Sequence, residues 1–179
     1  MLQITLPVEL WDEGKQEFVY LQGQTLELEH SLVALSKWES KIGRPFLSKE
    51  GTSYDETLEY IKCMMLTPNV SEETYQYLMT HRISEIQEYI NASMTATTLP
   101  KMPSRRGRPE TVTAELIYYW MIALQIPSEY ENWHLNKLIT LIGVCNVKNS
   151  PTKKRSSEDI LREQMALNEE RRKKMNSKG

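Results

Sequence analysis

The sequence predicts an α+β protein that is predominantly α-helical, with a small N-terminal antiparallel sheet, a helical bundle behind it and a charged C-terminal helix. Three observations carry that reading. The hydrophobic period changes from two to about 3.6 near residue 30, helix caps and breakers recur from there to residue 149, and beyond Ser150 the chain turns charged and poor in apolar residues. The expected organisation is a body over 1–149, with its sheet in 1–29 and its helices in 30–149, followed by a basic hinge and terminal helix over 150–179. A chain of 179 residues with 40% hydrophobic and 26% charged residues is long enough to bury a core in one ordinary domain and still carry a tail.

The sheet comes first. Leu2 to Leu6 alternates apolar with polar, "DEGK" at 12–15 is a turn with Gly14 free to take positive φ, and 17–21 and 25–29 follow at hairpin spacing. From residue 31, Leu32, Leu35, Trp38 and Ile42 share a helical face, and Gly43 and Pro45 end that helix. Ser53-Tyr54-Asp55-Glu56 has the capping-box pattern, in which serine and glutamate side chains each satisfy an orphan backbone donor, and Leu58, Ile61 and Met65 mark the buried side of the helix it opens. Pro68 and Asn69 break the chain again. Ser71 then caps a third helix with Glu72 and Glu73 in its first turn, where the macrodipole favours negative charge. A fourth helix covers about 83–94, with Ile83, Ile86 and Ile90 inward.

Residues 95–110 read as a loop holding Pro100, Pro103, Gly107 and Pro109 together with Lys101, Arg105, Arg106 and Arg108. Beyond it, Leu116 to Leu124 is apolar on nearly every side, the mark of a helix buried all round or of one face left for a partner. After Pro127, the run from Trp133 to Val147 places Leu135, Leu138, Ile142 and Cys145 at coiled-coil-like spacing. Cys63 and Cys145 both fall in apolar helical patterns and read as reduced core thiols. Ser156 to Met175 is the terminal helix, supported by Glu158–Arg162, Glu169–Lys173 and Glu170–Lys174 pairs but with a thin apolar stripe at Ile160, Leu161, Met165 and Leu167.

Catalytic and cofactor signatures are missing from this pattern. His30, His81 and His134 are scattered, with no HExxH and no Cys/His cluster at metal-ligand spacing, so neither a metal nor a cofactor is expected. The seven glycines form neither GxGxxG nor a P-loop, and no GxSxG occurs. Acidic pairs such as Asp55-Glu56 and Glu72-Glu73 lie in first turns, where capping accounts for them. The expectation is a protein that is not an enzyme. No stretch reaches the roughly 18 apolar residues of a membrane span, and the first residues lack the charged and apolar regions of a secretory signal.

Two features bear on partners. "RGRP" at 106–109 spells the core of an AT-hook, which makes Arg105, Arg106 and Arg108 candidates for nucleic-acid contact. Charge opposes this: residues 150–179 hold nine Lys/Arg against five Asp/Glu, so the body carries −6 and repels phosphate, and the single hook runs straight into a helix start that tolerates Pro109. The second feature is aromatic. Tyr119, Trp120 and Trp133, with Leu135 beside them, are candidate partner-binding residues, although aromatics at helical spacing are more often core than interface.

Four runs together, "HSLVALSKWESKIGRPFL" (30–47), "TLEYIKCMMLTPNV" (57–70), "VTAELIYYWMIALQIP" (112–127) and "WHLNKLITLIGVCNVKN" (133–149), resemble a family of small tail assembly chaperones of tailed bacteriophages. The likeness covers most of 30–149. It implies a non-catalytic protein of virion morphogenesis, working in the host bacterial cytoplasm, that binds the helical tape-measure protein and keeps it soluble until tail-tube protein polymerises around it. A homo-oligomer stays open. Two departures stand out: the basic segment before "VTAELIYYW" is longer than in the family, and Gly143 occupies a position expected to carry a long basic side chain. The alternative is a phage-encoded nucleic-acid-binding or virion connector protein using the basic loop and tail.

Overall fold

The computed structural model describes residues 1–12, 16–20, 23–48, 51–98, 111–149 and 157–175. Met1–Val147 form one compact unit and Lys148–Gly179 a second. The fold class is the expected one, α+β and mostly helical, but the strands pair differently from the sequence pattern. β1 (Leu2–Thr5) pairs antiparallel with β4 (Thr25–Leu28), setting Leu2 opposite Leu28 and Ile4 opposite Leu26. β2 (Glu9–Asp12) pairs with β3 (Glu17–Tyr20) as a separate two-stranded ladder nested between them. The hairpin expected between 17–21 and 25–29 is therefore not formed. Burial decides the register: Ile4, Leu26 and Leu28 are fully buried, so β4 is drawn to β1 by the face both present to the core. The turn residues 13–15 lie outside the described residues.

The first helix, α1 (Leu32–Ile42), begins at Ser31, whose hydroxyl accepts from Ala34 N–H, and ends at Gly43, which takes φ 75° and donates to the Glu39 carbonyl. A left-handed residue with no Cβ is what this C-terminus needs. One correction concerns its burial, since Leu32, Leu35, Trp38 and Ile42 do not serve a single core. Trp38 and Ala34 face the sheet and α2 (Tyr54–Met64), while Leu32 and Leu35 face a second cluster, so α1 is the wall between two cores.

The first core combines Ile4, Leu26 and Leu28 with Trp38, with Tyr60, Ile61 and Met64 of α2, and with Leu78 and Ile86 from the following helices. The capping box at Ser53 and Glu56 is complete in both directions. Within α2 the deepest residues are Tyr60, Ile61 and Met64, whereas Leu58 and Met65 are only partly covered. Trp38 Nε1–H donates to the Glu56 carbonyl at 2.9 Å, which satisfies the indole's only donor inside the core. After α2 the chain bridges back to β4: Glu29 N–H donates to the Met64 carbonyl and Leu66 N–H to that of Glu27.

Residues 72–91 are helical throughout. α3 (Glu72–Tyr77), capped by Ser71, passes through a wide π-helical turn at Leu78–Arg82 into α4 (Ile83–Asn91). The second core is built from Leu32 and Leu35, from Ala114, Ile117 and Met121 of α5 (Ala114–Ala123), and from Leu135, Leu138 and Ile142 of α6 (Leu135–Asn149). Between α5 and α6 a short 3-10 turn covers Ser128–Asn132. α6 therefore starts at Leu135 and not at Trp133, whose backbone is extended at φ −72°, ψ 160°. Cys63 is a buried core thiol as expected, but Cys145 is only partly buried. In the second unit, α7 (Ser157–Met175) forms over the predicted span, with Leu161, Met165 and Leu167 exposed.

Candidate functional site

One buried carboxylate fixes where α5 begins. Glu39 lies four residues after Leu35 and seven after Leu32, on the same face of α1, so its side chain enters the second core. There Oε1 accepts from Phe46 N–H at 2.9 Å and Oε2 from Ala114 N–H at 2.7 Å. Ala114 is the first residue of α5, and its amide is one of the orphan donors of a helix N-terminus, where negative charge is favourable. Thr113 caps a second orphan, the amide of Leu116.

Held this way, α5 turns Ala114, Ile117 and Met121 inward and leaves a stripe outside. Tyr119 is 62% exposed and Ile122, three residues on, 77%. Side chains three apart are neighbours on a helix, so the two make one apolar patch, with Glu115 exposed one turn before Tyr119. Tyr118 is bonded to Glu131 in the 3-10 turn; burial first, and then this bond and the charge of Glu131, push its phenol up to about 12. That bond ties α5 to the turn carrying Tyr130 and Trp133. The two rings stack with centroids 4.1 Å apart and 14° between planes, and Lys137 Nζ sits 4.0 Å over the Trp133 ring.

The four aromatic-face candidates thus separate. Tyr119 is open. Trp120 is partly buried and packs on the second core, and Trp133 is half-buried under Lys137 and against Tyr130. Leu135 is fully buried at the base of the second core and offers no surface to a partner, a correction that follows from its place in the first turn of α6, directly under α1. Ile122, which the apolar run hid among its neighbours, is the most exposed large apolar side chain of the described residues. Period alone could have found it: with Ile117 and Met121 inward, 119 and 122 fall on the opposite side. Arg105, Arg106 and Arg108 lie outside the described residues.

Among the described residues no group of three or more His, Cys, Asp or Glu is placed to hold a metal ion, and no helix is long and apolar enough to cross a membrane. His81 is exposed, but His30 and His134 are buried and meet edge-on with ring centroids 5.0 Å apart, a pairing that nothing in their sequence positions announces. No protein-family model, no curated protein and no solved structure matches the chain.

Proposed function

We propose that the protein is a non-enzymatic helix-binding chaperone of phage tail assembly, which covers apolar stretches of the tape-measure protein in the host cytoplasm before tail-tube protein polymerises. The observation that carries this reading is the Tyr119–Ile122 patch, an apolar surface on a helix whose other side is locked into the core by Ile117, Met121 and the Glu39–Ala114 bond. An amphipathic partner helix with anchors at i, i+4 and i+7 fits such a patch, and the exposed Glu115 one turn before Tyr119 favours a partner with a basic border. The identity of the partner rests on the resemblance of residues 30–149 to tail assembly chaperones.

Co-expression with overlapping tape-measure fragments and affinity capture tests both parts. Capture of at least one fragment, lost in a Tyr119→Ala, Ile122→Ser variant that melts like wild type, supports the reading. Failure of every fragment to bind the wild type removes the tape-measure assignment. Capture undiminished in the double variant removes the patch.

A further inference from the structure

His30 and His134 sit where the two cores meet. His30 links β4 to α1, and His134 immediately precedes α6; they are 2% and 4% exposed. Leu135 N–H donates to the His30 carbonyl at 2.7 Å, and Ser31 and His134 form an isolated antiparallel bridge. From the first core, the Tyr60 hydroxyl of α2 lies 2.5 Å from His30 Nδ1, and the Tyr89 carbonyl of α4 lies 3.0 Å from His134 Nε2. The other nitrogen of His134, Nδ1, accepts from Asn136 N–H at 3.3 Å. The Asn136 side chain adds two bonds of 2.9 Å to the carbonyls of Ile90 and Ala92.

These partners assign the proton on His134. A backbone carbonyl only accepts and a backbone N–H only donates, so Nε2 carries the hydrogen and Nδ1 is bare. The surrounding groups offer an imidazolium little. α2 presents Tyr60 and Cys63, both held neutral because burial raises their pKa. α4 presents Tyr89, whose hydroxyl donates to Glu29 Oε1 at 2.6 Å, while Oε2 of Glu29 holds the N-terminal ammonium of Met1 at 2.8 Å. The carboxylate of α1, Glu39, is taken up by the amides of Phe46 and Ala114. Neither carboxylate bonds an imidazole, and two charged rings 5.0 Å apart would repel.

We propose that the His30–His134 pair is an acid-operated latch between the two cores: a proton taken up by the pair puts a charge into the buried seam that joins α2 and α4 to the start of α6, and the second core opens while the first keeps its packing. Burial first, and then the neighbouring His134, push His30 from 6.5 down to about 4. The fold thus favours the neutral ring, so the latch is fully closed above pH 6.5 and is lost as pH falls towards 4. Opening uncovers Leu32, Leu35, Ile117 and Leu138, a larger apolar surface than the closed protein presents. This inference is independent of the tail-assembly reading, since it concerns when apolar surface appears and not what covers it.

The test is an NMR titration of the full chain from pH 7.5 to 4, following imidazole carbon shifts together with amide protection corrected for intrinsic exchange. Protection in α5 and α6 should fall at least tenfold at a midpoint that tracks an imidazole, with β1, β4 and α2 still protected. A His30→Asn, His134→Gln variant, which keeps the acceptor facing Tyr60 and the donor facing Tyr89, should lose that step. Simultaneous loss of protection in both cores, no loss down to pH 4, or a step unchanged in the variant would overturn the latch. Should the variant not fold, the wild-type titration decides alone through the coincidence, or not, of the two midpoints.

Discussion

Replacing Glu39 with alanine removes a charged side chain that ties α1 to the start of α5. Two backbone amides lose their acceptor, and one of them, on Ala114, is fully buried. Hydrogen bonds to an ionised group contribute about 1.5–3 kcal/mol each, which sets a gross loss of roughly 3–6 kcal/mol. Relief of the buried carboxylate's desolvation returns part of it, leaving about 3 kcal/mol. At roughly 2–4 °C per kcal/mol for a chain of this size, the midpoint should drop by about 6–12 °C. Glu39→Gln keeps one carbonyl oxygen and one bond, and should lose about half as much. Circular-dichroism melts and urea titrations provide the comparison; an unchanged urea slope would show that the cost is in stability and not in the compactness of either state. Amide exchange should quicken in the first turn of α5 before it does in α2. A Glu39→Ala protein melting within a degree of wild type would refute the account and make the carboxylate a passenger.

Leu135→Ala should cost about 2–5 kcal/mol because it empties a fully buried site, whereas Tyr119→Ala, at an exposed one, should stay within about 0.5 kcal/mol; equal effects in melting would contradict the division between core and patch. Truncation after Asn149 should leave melting of the remaining chain nearly unchanged, because the hinge is polar and α7 has few apolar residues to dock; a fall of several degrees would show otherwise. An A·T-rich duplex titrated at physiological salt should bind more weakly than about 10⁻⁶ M, within the non-specific range, and micromolar or tighter binding abolished by Arg106→Ala with Arg108→Ala would favour the nucleic-acid reading.

Local chemistry was the legible part of this chain. Ser53 and Glu56 announce α2 because a capping box is written within four residues, and Gly43 announces the end of α1 because few other residues accept its φ. Partnership across the chain was not legible. The period of two in 17–20 says that a strand forms but not that it pairs with 9–12 and leaves β4 to β1, a choice made by the core beneath Ile4 and Leu26. Leu32 and Trp38 look like one helical stripe because a stripe wide enough for two cores has the same spacing as a broad one for a single core. Glu39 and the two histidines read as ordinary polar residues, since their meaning lies in Ala114, Tyr60 and Tyr89, which reach them only after folding.

The wide turn at Leu78–Arg82 acts as a one-residue insertion in an otherwise continuous helix. α3 turns Thr74, Tyr77 and Leu78 inward, and unbroken α spacing from there would select His81, Glu85 and Glu88 next. The core instead receives Ile86, with Ile83 and Ile90 beside it, each a residue or two further along. A helix that absorbs one extra residue rotates everything after it by about 100°, and here that rotation swaps a polar face for an apolar one. Deleting the exposed Thr80 would therefore leave α4 helical while steering its isoleucines away from the first core, so a change of length at this turn matters more than any single substitution on its surface.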